Sequence, residues 1–251
     1  MTRVFFILLF CGSLLSCNTK SSVSNSVIAT TGWTAAYALA AGATNVSVLA
    51  PYEMVHPSEY ELRPTDIDRL SKANLIIYAG YEVMVDQIKV GLKIPDEKLV
   101  KISTSYNFTE MEESVMIIAK RLGTEPTAKK NLEEIKKLLL NGRMDVHKMG
   151  LDQKPILVHF FQESFAKEMG ITPSIIFGPA APEPKQILEM AQTNAVVILD
   201  NAHNPVGGSM KDILKNSDYK LLLNFPGLYQ TRTIADVIRY NISQIQAKQP
   251  K

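Results

Sequence analysis

Cysteine is nearly absent from this chain. The 251 residues include two, Cys11 and Cys17, both within the first twenty positions. The rest of the sequence has no disulfide framework and no thiolate metal site, so any ion it holds must be met by imidazole, carboxylate and water. An excess of one charge is lacking too. The formal net charge is +2, with no long basic run and no basic–aromatic stripe, which removes the electrostatic footprint of a nucleic-acid binder. Beyond the first twenty residues no apolar run approaches the roughly 20 residues of a membrane-spanning helix. No His-Glu-x-x-His helix, Gly-x-Ser-x-Gly elbow or phosphate loop is present, and no enzyme is expected.

The first segment differs from the rest. Arg3 supplies a short positive region, residues 4–10 are uninterrupted apolar side chains, and Gly12, Ser13 and Leu14-Leu15-Ser16-Cys17 follow. This is too short to cross the bilayer and reads as an export signal. Its end resembles a bacterial lipobox, in which Cys17 is acylated and becomes the mature N-terminus; an ordinary secretion signal is the alternative. We expect a signal peptide over 1–16 and a polar, Ser-rich tether over 17–25. The folded part would then stand outside the cytoplasm, anchored to the membrane by lipid.

Further along, short apolar runs alternate with helical periodicity. Strands are expected at 27–29, 46–49, 75–78 and 99–102, with helices at 33–41, 64–72 and 83–92 and after the fourth strand. Residues 127–148 break the alternation with one long amphipathic helix, striped by Leu132, Ile135, Leu138 and Leu139. Strands resume at 156–158, 175–177, 196–199 and 221–223. The expected fold is α/β: two lobes with mainly parallel sheets, at 26–126 and 151–251, each with its own core, joined by a rigid helix over 127–150.

Ligands of open α/β sheets bind beyond the carboxyl ends of the strands. Three of the four histidines fall there: His56 in the first lobe, His159 and His203 in the second. Among the nearby acids, Glu82 follows a strand and Asp200 closes one; Glu59, Glu61, Glu163 and Glu183 are weaker candidates. His147, beside Lys148 at the end of the long helix, reads as a solvated residue favourable to the helix dipole. Imidazole with an oxygen donor suits zinc, and more oxygen would favour manganese. A site of this kind should weaken as imidazole protonates, near pH 6.5 for an ordinary group.

Residues 27–81 resemble the first lobe of the zinc- and manganese-binding lipoproteins of ATP-driven importers. The likeness rests on the strand at 27–30, Gly42, the strand at 46–49, His56 with Tyr60-Glu61, Pro64 to Asp66, and the run from Leu75 to Gly80. His159-Phe160-Phe161, with Phe165 and Gly170, resembles the second-lobe motif of that family. The resemblance implies one buried metal ion held from both lobes, with His56 and His159 in ligand roles, a permease partner and a monomeric chain. Two departures stand out. His56 lies two residues before the position that aligns with the family histidine, which falls on Ser58. A second first-lobe histidine would fall near Ser103, where none occurs. We therefore expect a rearranged shell of His56, His159, His203 and a carboxylate, Asp200 or Glu82, or water. Two other readings are a receptor for a metal chelate or other small solute, with Tyr52, Tyr60, Tyr81, Trp33 and Phe160 lining a larger cleft, and a zinc hydrolase.

Overall fold

The computed structural model describes residues 26–247; the expected signal peptide, the lipid-bearing Cys17 and the tether lie outside the described residues. The first half runs β1 (Val27–Ala29), α1 (Gly32–Ala40), β2 (Val46–Val48), α2 (Pro64–Lys72), β3 (Leu75–Tyr78), α3 (Met84–Asp86), β4 (Leu99–Lys101) and α4 (Phe108–Leu122). The 24-residue α5 (Glu125–Lys148) follows. The second half runs β5 (Ile156–His159), α6 (Glu163–Glu168), β6 (Ile175–Phe177), α7 (Pro184–Gln192), β7 (Val197–Asn201), α8 (Met210–Ile213), β8 (Asp218–Leu222) and α9 (Ile234–Gln246).

Each half forms a four-stranded parallel sheet, ordered β2-β1-β3-β4 in the first and β6-β5-β7-β8 in the second. The two orders are the same topology, and the expected two-lobed α/β fold with a long helix is what forms. α5 starts two residues earlier than the apolar stripe suggested. Pro126 occupies its first turn, where a missing N–H costs nothing and a fixed φ suits the helix. β8 starts earlier too, at Asp218. It is an edge strand whose first residues are polar, so the apolar run at 221–223 marked only its end. The 83–92 segment is helical in two parts, α3 followed by a wider π turn over Gln87–Gly91.

The expectation of a separate core in each lobe needs correction. Side chains alternate across a strand, so each sheet has an inner and an outer face. Ile28 and Ile76 belong to an outer cluster with Leu49, Leu70 and Met84, while Leu157 and Ile198 belong to another with Phe177, Met190 and Met210. The inner faces join one continuous core. Val27, Leu75 and Ile77 of the first sheet share it with Ile156, Val158, Val197 and Leu199 of the second. The helices between the sheets supply the remainder: Ala36 and Ala40 of α1, Met111 and Ile118 of α4, Leu132, Ile135 and Leu139 of α5, and Val237, Ile238 and Ile245 of α9. Alanines along α1 keep it slender enough to lie against α4, α5 and α9 together.

Polar contacts and rings reinforce this junction. The loop after β4 reaches across to α6, where the Tyr106 N–H donates to Ser164 Oγ at 3.3 Å and the Phe108 N–H to Glu168 Oε2 at 3.3 Å. Tyr37 holds the same loop from beneath, accepting from the Ser105 N–H at 2.8 Å and donating to its carbonyl at 2.6 Å. Five rings run in series between the halves: Phe165, Tyr106, Trp33, Phe225 and His203. At the far edge the Arg232 guanidinium lies over the Tyr52 ring, 4.2 Å from its centre.

Gly227 brings the backbone of the second half close to that of the first at Tyr52. Its φ is +143°, and a Cβ added there would lie 2.2 Å from the Tyr52 carbonyl oxygen, a backbone atom that cannot turn aside. Gly227→Ala is therefore expected to lower stability by about 2 kcal/mol or more, through strain and enforced separation of the halves. Urea unfolding of the variant beside the wild type measures it; an unchanged midpoint would mean that the Tyr52 segment is free to retreat.

Candidate metal-binding cleft

In both sheets the chain order reverses between the first strand and the third, so crevices open beyond the carboxyl ends of β1 and β3, and of β5 and β7. The two crevices face one another across a cleft of about 700 Å³. Its walls come from the segments that leave those strands: Thr31 after β1, Tyr81 after β3, Phe160 and Phe161 after β5, Asn201 at the end of β7 with His203 beyond it, and Asn224 and Phe225 after β8. His56 with Ser58 and Glu59, from the loop after β2, completes the first-lobe wall.

His203 is the most unusual of these groups. It is 7% exposed, its ring stacks on Phe225 at 3.7 Å between centres, and among the described residues neither ring nitrogen has a hydrogen-bond partner. Burial without a counter-charge lowers its pKa to about 4, so the imidazole is neutral at physiological pH. A buried imidazole with both nitrogens unsatisfied carries a standing desolvation cost, which a cation or a donor would relieve.

His159 is wholly buried behind the cleft wall rather than lining it. Strand alternation explains this. His159 shares the parity of Leu157, on the outer face of the second sheet, and its ring packs edge-on against Phe177 at 5.5 Å. Its Nδ1 accepts the Phe161 N–H at 3.1 Å, which leaves the proton of the neutral ring on Nε2, where no acceptor stands. Nε2 faces Gly178, at which a Cβ would approach to 2.7 Å; the φ of +81° at that position also favours glycine. Burial lowers the His159 pKa, and the nearby Asp200 carboxylate partly opposes the shift.

Both carboxylates expected as ligands are engaged by their own lobes. Glu82 accepts from the Thr30 hydroxyl at 2.6 Å, the Ala79 N–H at 2.9 Å and the Gly80 N–H at 2.6 Å, closing the turn after β3. Asp200 has the outer-face parity of Ile198 and accepts from the Gly207 N–H at 2.7 Å, the Tyr219 hydroxyl at 2.5 Å and the Asn201 N–H at 2.7 Å. Among the described residues no three His, Cys, Asp or Glu side chains are grouped to hold one ion. The structure thus brings His56 and His203 to the cleft, sets His159 and Asp200 together behind it, and uses Glu82 as a turn anchor. The expected shell of the three histidines with one carboxylate or water is not assembled among the described residues.

Trp33, Tyr81 and Phe160 line the cleft, as the small-solute reading expects, but Tyr60 and Tyr52 do not. Tyr60 is buried in the outer cluster with its hydroxyl on Asp66 at 2.7 Å, and Tyr52 is covered by Arg232. Sequence reasoning did not place Phe225, or Phe161 beyond its part in the second-lobe motif, on the cleft wall. Both follow the carboxyl end of a strand, so the rule that selected the histidines would have selected them too.

No family model and no curated protein sequence matches this chain. Solved structures do. A manganese-bound periplasmic metal-binding protein from Candidatus Liberibacter asiaticus superimposes with a TM-score of 0.65 over 88% of this chain and 98% of its own, at 13% identity. The AdcAII protein of Streptococcus pneumoniae gives 0.68 at 16% identity, covering 88% and 97%. The laminin-binding protein Lbp of Streptococcus pyogenes gives 0.66 at 17%, covering 88% and 96%. The chain has the fold of the periplasmic metal-binding proteins. A cadmium-bound form of the Liberibacter protein superimposes equally well, with a TM-score of 0.64.

This metal-binding-protein fold carries its buried imidazoles at a cost that depends on pH. A histidine with its folded-state pKa depressed from 6.5 to about 4 takes up its proton in the unfolded chain first. Its neutral form is therefore tolerated above pH 6.5, and stability is lost as pH falls from 6.5 towards 4. The depression corresponds to roughly 3 kcal/mol across that window. His203→Leu is expected to unfold with a much flatter dependence between pH 7 and 4.5 than the wild type. His159 contributes in the same direction, so the difference between the two proteins is the quantity to read, by urea unfolding at each pH.

Proposed function

We propose that this chain is the extracytoplasmic solute-binding component of an ATP-driven importer, and that it captures a divalent transition metal in the cleft between its lobes. One observation carries the reading: His203 stands at the cleft wall with both nitrogens buried and unpartnered. The fold it shares with periplasmic metal-binding proteins, including manganese- and cadmium-bound forms, supports the same cargo class. A binding role, rather than catalysis, fits the solved structures that share the fold, among them the periplasmic metal-binding protein and the laminin-binding protein.

His203 and His56 are the donors that face the cleft, with His159 held behind. Coordination would turn the His203 ring off Phe225, exchanging a ring stack for a metal bond. Nitrogen donors with Glu82 and Asp200 already committed favour zinc over manganese. Export, acylation of Cys17, a monomeric state and delivery to a membrane permease complete the proposal.

Calorimetric titration with zinc and with manganese tests it. The wild type should bind one zinc ion per chain, more tightly than manganese, and His203→Ala should weaken zinc by at least about tenfold. Equal zinc affinity in wild type and variant would remove His203 from the site. The pH dependence also differs from that of an ordinary imidazole. Because burial keeps His203 neutral down to about pH 4, its proton does not compete near pH 6.5. Its share of the zinc affinity, read as the difference between wild type and His203→Ala, should hold from pH 7 to about 5 and decline only below that.

A further inference from the structure

The cleft is far larger than one ion needs. At about 700 Å³ it holds the equivalent of some twenty waters at roughly 30 Å³ each, and it lies within the size range of small-molecule sites. It also holds no ready-made ligand set. Zinc takes four ligands, yet among the described residues no three His, Cys, Asp or Glu side chains stand together to hold one ion, and His56 and His203 are the cleft's imidazoles. The walls leave large aromatic faces uncovered from both lobes: Tyr81 is 54% exposed, Phe160 50% and Phe161 38%. Its charged lining residues, histidines aside, are all acidic. Glu59, Glu110 and Glu163 face it and no lysine or arginine does, although Lys167 pairs with Glu163 from outside.

An unassembled ligand set, excess volume, aromatic walls and a negative rim have one common solution. We propose that the cargo is a cationic metal chelate: a divalent ion already carrying a small, flat organic chelator that fills two or three coordination positions. His203 closes a remaining position from the second lobe. The chelator lies between Tyr81 on one side and Phe160 and Phe161 on the other, where a cationic complex gains from the aromatic faces and from Glu59 and Glu110. This deepens the proposed metal capture and rests on it.

The test compares three probes on the purified protein: zinc alone, the 1:1 complex of zinc with the planar tridentate chelator terpyridine, and terpyridine alone. Calorimetry gives the affinities. Trp33, the single tryptophan and itself part of the cleft wall, reports occupancy by fluorescence. The complex is expected to bind at least about tenfold more tightly than either component and to quench Trp33. Phe160→Ser and Tyr81→Ser, at exposed positions that leave the core intact, should each weaken the complex several-fold without altering zinc alone. His203→Ala should abolish the advantage of the complex over free terpyridine. If zinc alone binds as tightly as the complex, the chelate inference fails while the metal-capture reading stands. If terpyridine alone matches the complex, the metal contributes nothing to binding and the chelate inference fails, with the zinc arm deciding metal capture by itself; if neither zinc nor the complex binds, both fail.

Discussion

The apolar interior that the two sheets hold in common fixes everything else about this molecule. Val27 and Ile77 of one sheet and Ile156 and Leu199 of the other reach the same core through α1, α4, α5 and α9. The cleft lies beyond the carboxyl ends of the strands, where the loops that leave them line it from both halves. The ring series from Phe165 to His203 and the bonds from Tyr106 and Phe108 to α6 act close to its floor, so the walls are held apart by covalently distant but tightly packed parts of the chain.

Much of the architecture was legible because its signals are local. Apolar runs separated by helical stripes announce parallel strands with crossovers, and the stripe from Leu132 to Leu139 announces the long helix. The topological identity of the two sheets was not legible: pairing is non-local, and no sequence repeat accompanies it. The shared core was missed for a related reason. Periodicity says that a residue is apolar and which neighbours share its face, but not whether that face meets its own lobe or the other one.

The site shows the same division. Position beyond a strand end correctly brought His56 and His203 to the cleft. For His159 and Asp200 position alone was insufficient, because each is still within its strand and parity decides which side it takes. Leu157 and Ile198 fix that parity, and both ligand candidates go with them to the outer face, against Phe177 and Gly207. Glu82 was drawn out of consideration as a free donor by backbone N–H groups, which sequence does not display. The depth of His203, and with it the fall of its pKa, likewise follows from the Phe225 stack rather than from any neighbour in sequence.

The helix that links the halves ends at Lys148, and Gly150 follows in a left-handed turn at the surface. A break in the chain there would look harmless by position, since it falls between two sheets of equal size. Yet each fragment would lose the side chains of the other half that complete the common interior. The halves share a topology, but the interior they bury is one, so loosening either exposes apolar surface of the other.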